Sequence, residues 1–453
     1  MNNSLCISLC VFTAGSLISP VALAQPAFRV LAPIGTDNNI TINAVSPDGA
    51  LVLGVTGASG STIRRDAATW STATGIGTRR NIVPAVPGRP YTEAIGCNTG
   101  GTVFAYTLLN SAFSFPAPYQ VQGSTATGVP VFAGSTSSRT YGISNSGLVQ
   151  AGWATRNNNP GDQRLWRWSA AGGLTTVPVP PGFSSANAGL QITRCLSGDG
   201  NTVIGYAAGN GTAAYSWNAV TGTVHLLSGF PSVQPANTQA NGISFDGSVI
   251  VGSATQVIGG GSDEAPVRWT AAGIEQLIPG VAGLGWRARA VSGDGRTIIG
   301  NRSDSGTPTN FIWRSGTVTS IEQLMTSLGI STAGITFIEA LDVSFDGTVI
   351  VGRLENAAGN RGFALTVPPI PSPCLADIAG GASPTLPAGG PDGTIDGVDF
   401  IAFINSFGTG EPTLDAAADV AGGASSTLPA GGPDGTIDGV DFIAFINAFG
   451  AGC

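Results

Sequence analysis

The 453-residue chain has no lysine, so all 19 of its basic residues are arginine. Only 10% of its residues are Asp, Glu, Lys or Arg, and the formal net charge is −8. A chain so poor in positive charge offers no basic surface for nucleic acid. Histidine occurs once, at His225. A Ser-His-Asp triad or a histidine zinc site would have to be built around it, and no Gly-x-Ser-x-Gly motif frames it. His225 is expected as a partly buried strand residue. No Gly-rich phosphate loop and no Cys-x-x-Cys redox motif is present. Beyond residue 24 no stretch approaches the ~20 apolar residues a membrane span needs.

What is abundant is glycine, at 67 residues, with 29 prolines and 42% hydrophobic residues. That much apolar content excludes general disorder. Low charge with many glycines and β-branched residues suits short strands joined by tight turns.

Residues 1–24 read as a signal peptide: Leu5 to Ile18 is largely apolar, and Ala22-Leu23-Ala24 forms a small-residue cleavage site. A secreted, extracellular or cell-surface protein is therefore expected. Removing the segment leaves Cys97, Cys195, Cys374 and Cys453, an even number that favours disulfides in an oxidising compartment. Cys374 and Cys453 bracket the tail and are natural partners. Closing their 79-residue loop would stabilise it by roughly 4–5 kcal/mol in the chain-entropy model. Whether Cys97 and Cys195 pair is left open by the sequence.

One phrase recurs seven times: an apolar run ending in Ser, then x-Asp-Gly, then a β-branched run ending in Gly. The clearest copies centre on Ser46-Pro47-Asp48-Gly49, Ser197-Gly198-Asp199-Gly200, Ser244-Phe245-Asp246-Gly247, Ser292-Gly293-Asp294-Gly295 and Ser344-Phe345-Asp346-Gly347. Ser144-Asn145-Ser146-Gly147 replaces Asp with Ser, and Cys97-Asn98-Thr99-Gly100 is the most eroded. The turn glycines recur about every 50 residues, a period of propeller blades rather than helical solenoids. Most repeats add a Trp-bearing strand (Trp70, Trp168, Trp217, Trp269, Trp313) and then a final strand. Four strands per unit is the arithmetic of a seven-bladed β-propeller over residues 25–367. The seventh repeat stops after its third strand, Gly362 to Val367, whereas Ala27 to Leu31 precedes the first repeat without a hairpin of its own. The N-terminal strand is thus expected to complete the last blade and close the ring.

The repeated Asp residues invite a reading as paired catalytic carboxylates. The stronger reading is structural: Asp-Gly supplies the positive φ of a tight hairpin, and Asp bonds its own backbone. The Trp residues are expected as inter-blade core. Channel mouths and blade-joining loops, such as Gly259–Glu264 and Asn157–Gln163, are the candidate ligand sites. These repeats resemble the HAF family of extracellular repeats, a resemblance that implies an extracellular domain of no settled activity, with a glycan or protein ligand open.

Val367 to Pro373 is a semi-rigid Pro-rich spacer, 368–373 forming the linker proper. Beyond it, 374–453 carries ten acidic residues and no basic one, which suits cations. Ala376 to Gly408 repeats as Ala418 to Gly450 at an offset of 42 with three changes. Against a calcium loop with ligands at positions 1, 3, 5, 7, 9 and 12 and Gly at 6, the first copy places Asp392, Thr394, Asp396 and Asp399 at 5, 7, 9 and 12. The second copy places Asp434, Thr436, Asp438 and Asp441 there. Ala388 and Gly390 would fall at positions 1 and 3 and are no ligands, so Asp377 and Asp419 would supply position 1 across an insertion. Two Ca2+ sites are expected; the alternative is an acidic turn module without metal. Phe400, Phe403, Ile404 and Phe407 make one apolar helical stripe, and Phe442, Phe445, Ile446 and Phe449 its partner. The tail resembles GC-type dockerin-like domains, small α-helical calcium-loop modules, on its duplicated Asp-Gly loops, Phe-rich helices and final Gly452-Cys453. That resemblance implies docking to a cohesin-like or other cell-surface receptor.

Together these features point to a secreted, non-catalytic binding or structural propeller with a calcium-dependent docking tail. The alternatives are a polysaccharide-active enzyme, a glycoside hydrolase or lyase carrying a dockerin, and a surface-layer component.

Overall fold

Every expected hairpin forms. The computed structural model describes residues 25–370, apart from 38, 58–65, 81–84, 113, 158, 188–193, 210, 232, 234–236, 259–260, 280–284 and 303–308. In the tail it describes 400, 403–404, 441–443 and 445–446. The signal-peptide assignment, the Pro-rich spacer beyond residue 370 and most of the tail lie outside these residues. Two compact units result, Met1–Pro369 and Ile370–Cys453.

In the first unit the described strands make seven four-stranded antiparallel sheets, six of them sequential meanders. Taken in chain order, the inner strands are Asn39–Val45, Tyr91–Cys97, Ser138–Ile143, Ser185–Asn187, Thr238–Ile243, Trp286–Val291 and Thr336–Val343. They define blades 1 to 7. The eroded second repeat builds a full blade, so the turn tolerates loss of its Asp. Blade 7 takes its fourth strand from the N-terminus: Ala27–Val30 pairs antiparallel with Gly359–Thr366, Ala27 opposite Thr366 and Val30 opposite Phe363. Phe28 then packs on Phe337 and Phe363, with both ring centroids 5.9 Å away. Ala27–Val30 thus becomes the outer strand of blade 7, and Gly359–Thr366 is paired on both sides.

The strand Gly that follows the turn in blades 1, 3, 5, 6 and 7 has a physical cause. The inner strands of blades 1, 2, 3, 5, 6 and 7 carry a register shift three residues before the turn Ser or its Asn98 equivalent, at Asn43, Ile95, Tyr141, Asn241, Arg289 and Leu341. Such a bulge bends the strand towards its neighbour. A Cβ built on Gly54, Gly152, Gly252, Gly300 or Gly352 would fall inside the van der Waals shell of a backbone carbonyl oxygen. That oxygen belongs to Thr41, Arg139, Gln239, Arg287 or Glu339 respectively. Glycine is required there by close approach, not by φ.

The core lies between blades. Trp70 and Trp166 are fully buried, and Trp168, Trp217, Trp269 and Trp313 nearly so. Two indole N–H groups donate to backbone carbonyls, Trp70 to Ala32 at 2.9 Å and Trp269 to Ser228 at 2.8 Å. The Arg of an Arg-Trp pair reaches the next blade, as where Arg268 lies 4.4 Å over the Trp313 ring. Between blades 6 and 7 a short helix, Ile321–Ser327, opens on a capping box of Ser320 and Gln323 and buries Ile321, Leu324 and Met325. Among the described residues no helix is long and apolar enough to cross a membrane.

In the second unit Phe403 and Phe445 are fully buried and stack, with centroids 4.1 Å apart and planes at 10°. Phe442 joins them at 6.3 Å from Phe403. The two copies of the duplicated stripe meet here, although Phe400 and Ile404 remain partly exposed.

Candidate functional site

The turns organise one end of the axial channel. In blade 1 the Ser46 hydroxyl donates to Asp48 Oδ1 at 2.6 Å and accepts the Leu51 N–H at 2.9 Å. Asp48 Oδ1 also accepts the Ala50 N–H, while Gly49 sits at φ +70°. The same pair closes the turns at Ser197/Asp199, Ser244/Asp246, Ser292/Asp294 and Ser344/Asp346. Blade 3 substitutes Ser144 with Ser146 at 3.0 Å. In blade 2 the Asn98 side chain takes both roles, accepting from the N–H groups of Thr102 and Val103. Burial pushes the Asp48 and Asp246 carboxyls up, but their hydroxyl and backbone N–H donors together outweigh it and hold both below the ordinary carboxylate value.

The turns also bond to one another around the axis. Starting at blade 1, the links are Gly100 N–H to Asp48 Oδ2, Thr99 N–H to the Asn145 carbonyl, and Asn145 N–H to Gly198. Asp199 N–H to Phe245, Phe245 N–H to Gly293, Gly293 N–H to Phe345 and Phe345 N–H to Pro47 complete the circuit. Phe345 is buried and meets Phe245 edge-on at 6.2 Å, each ring lying over a glycine of a neighbouring turn, Gly293 and Gly198.

Beneath this ring an ion pair crosses the channel. Arg194 of blade 4 donates through Nη2 to both Asp342 oxygens of blade 7, at 3.1 and 3.3 Å. Asp342 is fully buried and also accepts the N–H groups of Val45 in blade 1 and its own neighbour Val343, each at 2.9 Å. The Arg194 guanidinium lies 4.0 Å over the Phe345 ring. Burial raises the Asp342 carboxyl above its ordinary value, against the opposing pull of Arg194. Towards the other end, charged side chains on inner and neighbouring strands pair off. Glu93 meets Arg139 at 3.1 Å, Glu264 meets Arg287 at 2.8 Å, and Glu339 meets Arg353 at 2.6 Å and Arg289 at 3.4 Å.

Arg194 and Asp342 were not singled out from the sequence, although a signal exists. Two residues before the turn Ser or Asn98, the other blades carry Ala44, Gly96, Gly142, Cys195, Gly242 and Ala290. A carboxylate among these small residues is the repeat's clearest anomaly.

Two expectations change on the structure. His225 is exposed on the outer strand Val224–Leu226, not partly buried. The segments around Asn157–Gln163 and Gly259–Glu264 are not blade-joining loops: they are hairpins within blades 3 and 5, where Val149–Arg156 meets Asn159–Ser169 and Ile250–Ile258 meets Gly261–Thr270. The Trp residues form the inter-blade core that the sequence predicts. Cys97 and Cys195 are unpaired, buried thiols. Burial pushes each thiol up to about 12, far from the thiolate that reacts. Ellman titration of the native chain should therefore show no fast reaction at these two cysteines, and both should react after unfolding in guanidinium. Fast labelling of either in the native state would contradict their burial.

Of the tail residues proposed to hold metal, Asp377, Asp392, Thr394, Asp396, Asp399, Asp419, Asp434, Thr436 and Asp438 lie outside the described residues, as do Cys374 and Cys453. Asp441 is described: it is fully buried and opens the helical residues 441–443. Among the described residues no three His, Cys, Asp or Glu side chains cluster as a metal site.

The fold so defined is a seven-bladed β-propeller. No family model matches the chain, and no curated protein matches it. Several solved structures are similar in fold. An oligogalacturonate lyase from Vibrio parahaemolyticus has TM-score 0.49 and 10% identity, covering 76% of this chain and 98% of that one. An acylaminoacyl peptidase from Pyrococcus horikoshii has TM-score 0.47 and 10% identity, covering 74% of this chain and 52% of that one. TolB from Acinetobacter baumannii has TM-score 0.36 and 14% identity, covering 71% and 81%. At these identities the likeness bears on the fold alone.

Proposed function

We propose that this chain is an exported, non-catalytic propeller that serves as a binding or structural platform and is attached through a calcium-dependent docking tail. The observation that carries the reading is the use made of the repeated carboxylates. Asp48, Asp199, Asp246, Asp294 and Asp346 each spend an oxygen on their own turn serine. The unrepeated channel carboxylate, Asp342, is held by Arg194 and two backbone N–H groups. A glycoside hydrolase working through paired carboxylates needs them free to take or give a proton at the substrate, and these six are committed to the scaffold.

On this reading the tail takes two Ca2+ ions, one at Asp377, Asp392, Thr394, Asp396 and Asp399, the other at Asp419, Asp434, Thr436, Asp438 and Asp441. Such hard oxygen ligands suit calcium. The stacked Phe403 and Phe445 support a single small core shared by the two copies. A cohesin-like or cell-surface receptor would take the tail, and a glycan or protein ligand the propeller. The likeness of the repeats to HAF modules and of the tail to dockerins belongs to this proposal.

The test is an activity panel. The full chain with calcium, incubated with neutral and uronate-containing polysaccharides, is expected to release no reducing ends and no unsaturated products absorbing at 232 nm (a general property of 4,5-unsaturated uronates), on the order of the enzyme-free blank. Turnover abolished by substitution of a channel carboxylate would replace this reading with the enzyme one.

A further inference from the structure

We propose that the cavity beneath the turn ring is a binding site for one small monovalent anion of the halide class, held by Arg194. The cavity's lining includes Ala44, Val45, Ile95, Phe345 and Arg194, together with Cys97 and Tyr141. Arg194 is nine-tenths buried, and its two terminal nitrogens differ sharply. Nη2 is committed to Asp342. Nη1 is buried and has no hydrogen-bond partner among the described residues. A buried N–H of a charged group left without an acceptor is among the costlier defects a protein interior can carry. An acceptor in the cavity removes it.

The chemistry of the walls selects the acceptor. Asp342 cannot turn to serve Nη1, because each of its oxygens already takes one backbone N–H as well as Nη2. The Cys97 thiol, kept protonated by burial, is a weak donor. The Tyr141 hydroxyl is engaged with Trp153. The remaining side chains are aliphatic or aromatic. A buried water requires two to four polar partners and must place its own hydrogens on acceptors; among these side chains only the weak Cys97 sulfur and the engaged Tyr141 oxygen could take them. A halide needs only donors and apolar contact. The cavity's volume of about 20 Å³ has room for one small ion rather than for sulfate or phosphate. The ion would sit where blades 1 to 4 and 7 converge.

Crystals of the full chain grown with sodium bromide test the site, with data collected at the bromine edge. An anomalous peak within hydrogen-bond distance of Arg194 Nη1 is expected. A light-atom peak there without anomalous signal, or bromide at surface arginines alone (an adventitious ion only), would overturn the proposal. In solution, melting at equal ionic strength in sodium chloride and in sodium gluconate, whose anion is too large to enter, should differ. A saturable rise in Tm with chloride, following a single-site isotherm, is expected. Superimposable Tm values in the two salts would overturn it equally.

Discussion

Asp342→Ala is expected to lower the unfolding free energy of the propeller by about 3–5 kcal/mol, the cost of leaving a buried charge without its partner. The substitution strands the Arg194 guanidinium under Phe345 and frees the N–H groups of Val45 and Val343. Three blades lose their common tie, since Asp342 belongs to blade 7, Val45 to blade 1 and Arg194 to blade 4. The double substitution Asp342→Leu with Arg194→Met should recover most of the loss, because an apolar pair of similar volume removes both desolvated charges. Urea unfolding followed by tryptophan fluorescence reads both. A single variant within about 0.5 kcal/mol of wild type, the scale of an ordinary surface substitution, would mean that the pair contributes nothing to the channel.

Gly252→Ala should cost about 3 kcal/mol, at the upper end of what overpacking a well-ordered core does. The added Cβ collides with the Gln239 carbonyl, a backbone atom that cannot rotate away. Relief requires the bulge at Asn241 to flatten, and that would break the Asn241 Nδ2 hydrogen bond to the Ala288 carbonyl in blade 6. Gly152→Ala and Gly352→Ala meet the carbonyls of Arg139 and Glu339 and should behave alike. By contrast Gly222→Ala sits at a turn with nothing within 4 Å of the new Cβ, so only its φ of +71° opposes it. Its cost should be about 1 kcal/mol, typical of a left-handed residue outside the core. Equal losses at Gly252 and Gly222 would show that close approach is not the reason for the strand glycine.

These results also explain what the sequence could and could not disclose. The hairpin recurs because its geometry leaves little choice: a Ser hydroxyl, an Asp oxygen two residues on and a Gly at positive φ close the same turn in five blades. Such local chemistry is readable from one chain, and so is ring closure, because Ala27–Val30 has no other partner in its repeat. The contact of Phe403 with Phe442 and Phe445 in the tail was legible for the same reason, through helical spacing. The channel was not. Arg194 and Asp342 are 148 residues apart and meet only because blades 4 and 7 face each other across the axis. Pairing across an axis depends on how many blades close the ring and on their tilt, which no local pattern encodes. The helix Ile321–Ser327 carried its signal openly in the Ser320–Gln323 capping box, yet a propeller frame directs attention to strands. Cys97 and Cys195 lie in blades 2 and 4, with blade 3 between them, so an even cysteine count was no guide to pairing.

Isothermal titration of the full chain with calcium, in metal-free buffer, tests the central claim most directly. The account predicts binding near two equivalents, weaker than in loops with a full carboxylate set, and loss of one equivalent each in Asp396→Asn and Asp438→Asn. No heat from the wild-type chain, with the same melting curve in calcium and in chelator, would contradict it and leave the tail an acidic module without metal.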